Sequence, residues 1–150
     1  MANPLSHALV PIIYKEDLEA VAHDFLNRYC PEALKKPMPL DSTELVKKMG
    51  LTVEVRDITK DLSIFGQVYF HDTEAEFYDS NKDEMVTTSV KARTIFVDPK
   101  AFFLRNLGAV NNTIVHECVH WDKHRKAFEL ESKKSFCDKR KVIERVSVLI

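Results

Sequence analysis

Cysteine is scarce in this chain and badly placed for crosslinking. Cys30, Cys118 and Cys137 are the three present, an odd number with no CxxC pair. That argues against a disulfide scaffold and for a reduced, intracellular protein. Charge of one sign is lacking too: 22 Lys and Arg stand against 23 Asp and Glu, for a net charge of -1. Non-specific nucleic-acid binding needs a basic surface, so no direct nucleic-acid partner is expected. The local run of Lys133, Lys134, Lys139, Arg140 and Lys141 reads as a solvated helix face. No stretch of 18 apolar residues exists, which argues against a membrane span. The opening residues, MANPLSHALVPIIYKEDLEA, have no basic start and only a short apolar run, a poor signal peptide. A cytoplasmic protein is the expectation. No repeat or low-complexity tract appears, and 45% apolar with 30% charged residues is ordinary globular composition.

What is present is one domain's worth of periodic sequence, 150 residues. The reading divides it into an N-terminal helix and Pro-rich link over 1–40 and a core over 41–150. Leu18, Val21, Ala22, Phe25, Leu26 and Tyr29 recur at helical spacing and predict a helix from Glu16 to Tyr29. Pro31, Pro37 and Pro39 then break the pattern. A second helix is expected from Asp41 or Ser42 to Met49, with Glu44 placed as in a capping box and Gly50 as its stop. Alternation predicts strands over Leu51 to Ile58 and Ser63 to His71. A polar hairpin follows over Glu74 to Thr88, turning at 79–83, and then a short apolar strand from Thr94 to Val97 that Asp98-Pro99 stops. Helical patterning resumes from about Ala109 to Leu130 and again from about Lys139 to Ile150. The order predicts an α+β fold, a small antiparallel or mixed sheet packed against helices.

The chemistry-bearing residues are His116-Glu117-Cys118-Val119-His120. On a helix, positions i and i+4 lie one turn apart on one face, so two imidazoles there can share one ion. Zinc accepts His nitrogen at about 2.0–2.1 Å and tolerates an open fourth corner. Glu117 is offset by one residue and is free to act as general base on water that the metal acidifies. Nickel, iron and copper accept imidazole as well. His-Glu-x-x-His arises by chance in a chain of this composition roughly 2% of the time, so the predicted helical context matters. His124 continues the register but lies about 12 Å along the axis from His116, so it is read as a residue behind the ligands or at the surface. A catalytic zinc needs a third protein ligand. Glu144, on the next predicted helix, is the first candidate, ahead of Glu129, Glu131, Asp138 and Cys137.

With these residues in view, the chain resembles the ImmA/IrrE-like metallopeptidases. The resemblance covers roughly Asp41 to Leu130. It rests on Met49-Gly50-Leu51 before a strand, on the Thr94 to Pro99 segment, and on Asn111-Asn-Thr-Ile-Val-His116-Glu-Cys-Val-His120-Trp121. It implies a zincin-like core with the His-Glu-x-x-His helix against a three-stranded sheet, zinc at His116 and His120, and catalysis by Glu117. It further implies a regulatory peptidase of bacteria or their mobile elements that cleaves or otherwise inactivates a helix-turn-helix repressor. The family's third ligand is a glutamate followed closely by Ala-Asn or similar. Here Glu144 is followed by Arg145-Val146-Ser147, and the sequence stops on Val148-Leu149-Ile150 in mid-pattern. The expectation therefore stays divided between Glu144 and a residue beyond Ile150.

The remaining candidates carry weaker expectations. Ser63 to His71 could be an edge strand that a peptide extends, with Gly66 permitting close approach, or a plain core strand with a bulge there. His71 could reach the site but is expected at the surface. Tyr69 and Tyr78 are candidates to polarise an oxyanion. Cys118 is expected as a buried structural thiol and Trp121 as packing beneath the site. Two functions compete: a zinc-dependent peptidase, and a non-catalytic metal-binding regulator acting through protein–protein binding.

Overall fold

The computed structural model of the chain describes residues 11–104 and 107–135. A 3-10 turn, Lys15–Asp17, leads into helix α1, Leu18–Tyr29. The expected link after Pro31 is not all extended, because the short helix α2, Glu32–Lys35, forms within it. Pro31 adopts φ -62°, which pre-sets helix entry. Helix α3, Ser42–Met49, starts where Asp41 accepts backbone N–H bonds from Thr43 and Glu44 at 2.9 and 3.3 Å. Glu44 pairs with Lys47 at 3.1 Å. The helix ends on Gly50 in the left-handed region, φ 66°.

Strands β1 (Thr52–Val55), β2 (Gly66–Tyr69), β3 (Thr73–Asp79), β4 (Glu84–Val90) and β5 (Thr94–Val97) follow. The main sheet has the order β1-β5-β2, with β1 parallel and β2 antiparallel to β5, so it is mixed. Both flat faces of β5 are covered, and all four of its residues are buried. β3 and β4 form a separate hairpin whose turn is held by the Asp79 carboxylate on the Asn81 N–H at 2.9 Å. The first strand is shorter than alternation predicts: Val55 is 67% exposed. Beyond it the chain is held by a side chain, since the buried Asp98 carboxylate accepts the Ile58 N–H at 3.0 Å. Asp98-Pro99 does stop β5, and helix α4, Pro99–Leu104, begins there.

Helix α5, Leu107–Ser135, is longer than its predicted core. It packs with α1 and α3 on one face of the sheet through Phe25, Leu45, Ile95, Val97, Cys118 and Trp121. The hairpin covers the other face through Ile58, Tyr69, Phe77, Val90 and Phe96. The architecture is α+β, in three layers. No described helix is long and apolar enough to cross a membrane. The predicted helix over 139–150, with Glu144, Cys137 and Asp138, lies outside the described residues.

Candidate metal centre

His116, Glu117 and His120 all lie within α5. His116 Nε2 and His120 Nε2 stand 2.8 Å apart, close enough for one ion to contact both at the usual bond length. The rings meet edge to face with centroids 4.5 Å apart. Burial lowers the pKa of both imidazoles. His120 falls furthest, to about 4, because burial is reinforced by the facing charges of His116 and His124. Two neutral imidazoles, each able to offer one ring nitrogen's lone pair once the proton between them moves to the other nitrogen, are the donor chemistry that zinc takes. The described part of the centre stops at two donors: no group of three or more His, Cys, Asp and Glu is placed to hold a metal ion among the described residues. Glu129 is exposed, and Glu144 lies outside the described residues.

Glu117 is 8% exposed and its pKa is pushed up to about 7. Burial is the cause, opposed by a hydrogen bond from the Val68 backbone. The carboxylate therefore spans from the histidine helix to β2. The approach is tight because Gly66 has no side chain. A Cβ there would collide with Thr113 Cγ2 and sit 3.3 Å from Glu117 Cγ. The close approach expected at Gly66 is real, but the neighbour is α5.

His124 is buried, at 8% exposure, which corrects the surface alternative. Its Nδ1 lies 3.2 Å from His120 Nδ1, so His120 is bracketed by a histidine on each ring nitrogen. The signal was available: His120 to His124 repeats the spacing of His116 to His120. Asp122 was missed altogether. Its side chain is 3% exposed, and it receives two hydrogen bonds from Arg28, at 2.6 and 2.7 Å, and one from the Tyr29 hydroxyl at 3.1 Å. This ties α1 to the histidine helix. Asn111, which the sequence reading uses only as part of the family resemblance, accepts from the Ser42 N–H at 3.1 Å and donates to the Leu40 carbonyl at 3.0 Å, which fastens the end of the link to α5. No sequence pattern signals contacts across some 70 to 90 positions.

Neither tyrosine reaches the site. Tyr69 is buried on the hairpin side of the sheet against Phe77 and Phe96, and Tyr78 donates to Asp83 at 2.6 Å. His71 sits edge-on to Phe128, with centroids 6.0 Å apart, and its buried Nε2 has no hydrogen-bond partner among the described residues. Trp121 is buried and stacks on Phe70 at 5.4 Å, and Phe70 stacks on Phe128 at 4.3 Å, fixing α5 behind β2. Cys118 is fully buried, and burial with the neighbouring Glu117 charge pushes its thiol up to about 12. Two hollows adjoin the centre. A cleft of about 530 Å³ beside His116 is lined by Pro39, Leu40, Asn111, Asn112 and Val115 among others. An apolar cavity of about 740 Å³ lies between α1 and α5 and reaches His120 and His124.

No protein-family model matches this chain, and no curated protein or solved structure matches it significantly.

Proposed function

We propose that the chain is a zinc-dependent metallopeptidase of regulatory type with a zincin-like core. Its proposed substrate is a peptide or protein, a helix-turn-helix repressor being the class the family resemblance implies. The observation that carries the reading is the convergence of His116 Nε2 and His120 Nε2 at 2.8 Å beside a buried carboxylate, Glu117. His116 and His120 would hold the ion, with Glu144 the proposed third ligand. When bound, zinc supplies a polarised carbonyl and a more acidic water.

Glu117 does the proton work. Its carboxylate takes a proton from the attacking water, whose oxygen bonds to the scissile carbonyl carbon. As the C–N bond breaks, Glu117 returns that proton to the leaving amine. A pKa near 7 suits both halves of the cycle. β2 is an edge strand beside Glu117, an arrangement suited to an extended peptide.

The test is zinc content of protein purified without added metal, followed by cleavage of candidate repressors. Near one zinc per chain, lost in His116→Ala, is expected. Glu117→Gln should keep the zinc and lose cleavage. A chain that takes up no zinc even when it is supplied refutes the reading. One competitor is a non-catalytic regulator that binds its partner through the same scaffold, a reading that rests on the departure from the family pattern after Glu144, where Arg145-Val146-Ser147 follow. In that case Glu117→Gln leaves partner binding intact and there is no cleavage to lose.

A further inference from the structure

We infer that His124 is a positioning residue that fixes the tautomer of His120, holding its proton on Nδ1 so that Nε2 faces His116 as a lone pair. The inference rests on the metal-centre reading above and adds a role for a residue that reading does not use. A neutral imidazole carries one proton, on one nitrogen or the other. Each nitrogen of His120 has a different histidine in front of it: His116 Nε2 at 2.8 Å and His124 Nδ1 at 3.2 Å. Only two proton arrangements satisfy both contacts. In the first, His120 Nδ1–H donates to His124 Nδ1 and the His120 Nε2 lone pair accepts from His116 Nε2–H, a proton that His116 must move to its Nδ1 before an ion can bind. In the second, His124 Nδ1–H donates to His120, and the proton of His120 is forced onto Nε2, where it blocks a ligand.

His124 thus selects between a ligating and a blocked His120. It does so from the other side of the ring, facing His120 Nδ1 and not the Nε2 that is turned to His116. Metal-bound histidines commonly donate the other ring N–H to a carboxylate, carbonyl or water. Here an imidazole takes that part. Its burial protects the contact from water, since His124 is 8% exposed and faces the apolar cavity walled by Leu18, Val21, Phe25 and Val119.

Two measurements test this. Long-range proton–nitrogen correlation spectra of the metal-free protein, above the ordinary histidine titration range, read each ring's tautomer directly. His120 is expected as Nδ1–H in the wild type and shifted toward Nε2–H in His124→Leu. Zinc affinity is the second readout, measured by competition with a chromophoric chelator. His124→Leu should bind about 10 to 100-fold more weakly. His124→Asn, whose side-chain oxygen can accept in place of Nδ1, should recover most of the loss. A wild-type His120 found as Nε2–H overturns the inference without any variant. Equal zinc affinity in wild type and His124→Leu, with an unchanged His120 tautomer, overturns it as well. If the wild type binds no zinc yet its His120 tautomer still moves in His124→Leu, the metallopeptidase reading fails and the positioning by His124 stands.

Discussion

Gly66→Ala isolates the contact on which the geometry of the site depends. The residue's φ lies outside the left-handed region, so alanine can adopt the backbone without strain. Taken alone, the change would stabilise the fold by about 0.4–1 kcal/mol through the unfolded chain. The structure predicts the opposite sign. The new Cβ would collide with Thr113 Cγ2 and press on Glu117 Cγ at 3.3 Å, and neither atom is the end of a long side chain. Thr113 is held further by its hydroxyl, which donates to the Ala109 carbonyl at 2.9 Å. Either β2 or α5 must shift, an overpacking cost of about 1–3 kcal/mol. The net expectation is a loss of about 1–2 kcal/mol, or roughly 2–8 °C in midpoint for a chain of this size. Urea and thermal unfolding measure it. Thr113→Ser removes the offending methyl and keeps the hydroxyl, so the double variant should recover most of the loss, with a coupling of about 0.5–3 kcal/mol. A neutral or stabilising Gly66→Ala, or additive single effects, would refute the close approach of α5 to β2.

The pair between Arg28 and Asp122 gives a pH prediction. Burial by itself raises the Asp122 pKa, but Arg28, Lys123 and the Tyr29 hydroxyl outweigh it, and the net value lies below the ordinary carboxylate range. The unfolded chain therefore takes up this proton first; the stabilisation is present above the unfolded pKa and is lost as pH falls through the folded one. Arg28→Ala should cost about 1–3 kcal/mol near neutrality, less than a fully buried pair because Arg28 reaches solvent and Lys123 stays 3.4 Å away, and it should flatten the acid limb of stability against pH. An unchanged acid limb would count against the pair. Asp98→Ala strands the Ile58 and Lys100 N–H groups that the carboxylate accepts at 3.0 and 2.9 Å, a cost of about 1–3 kcal/mol readable by denaturant unfolding. Cys118, fully buried with its thiol raised to about 12, should resist alkylation in the folded protein and react on unfolding, which peptide mapping after iodoacetamide can check.

Local signals in the sequence were legible wherever a residue acts on its own backbone. Asp41 caps α3, Gly50 ends it, Asp79 folds the hairpin turn, and Thr94 to Val97 reads as a strand because all four residues are buried. The helix carrying His116, Glu117 and His120 was legible for the same reason, since i, i+4 spacing is a property of one element. Legibility failed where a distant partner decides. Alternation carried β1 past Val55, but the Asp98 carboxylate takes the Ile58 N–H and turns that stretch into the hairpin-side core. The Pro-rich link gave no hint of α2, whose four residues are too few for periodicity to register. His124 looked remote because its distance was measured from His116. Its partner is His120.

The edge of β2 sets a condition on any peptide that docks there. The Phe65 and Tyr69 carbonyls accept from the Asp98 and Arg93 N–H groups that flank β5, so the odd-numbered residues bond inward. Antiparallel alternation then turns the Val68 N–H to the open edge, beside the Glu117 carboxylate, whose pKa it lowers. An extended substrate pairing at Val68 would claim the same N–H. On the metallopeptidase reading, substrate pairing and the setting of Glu117 are therefore linked: a strand added at that register would compete with the carboxylate for the Val68 N–H.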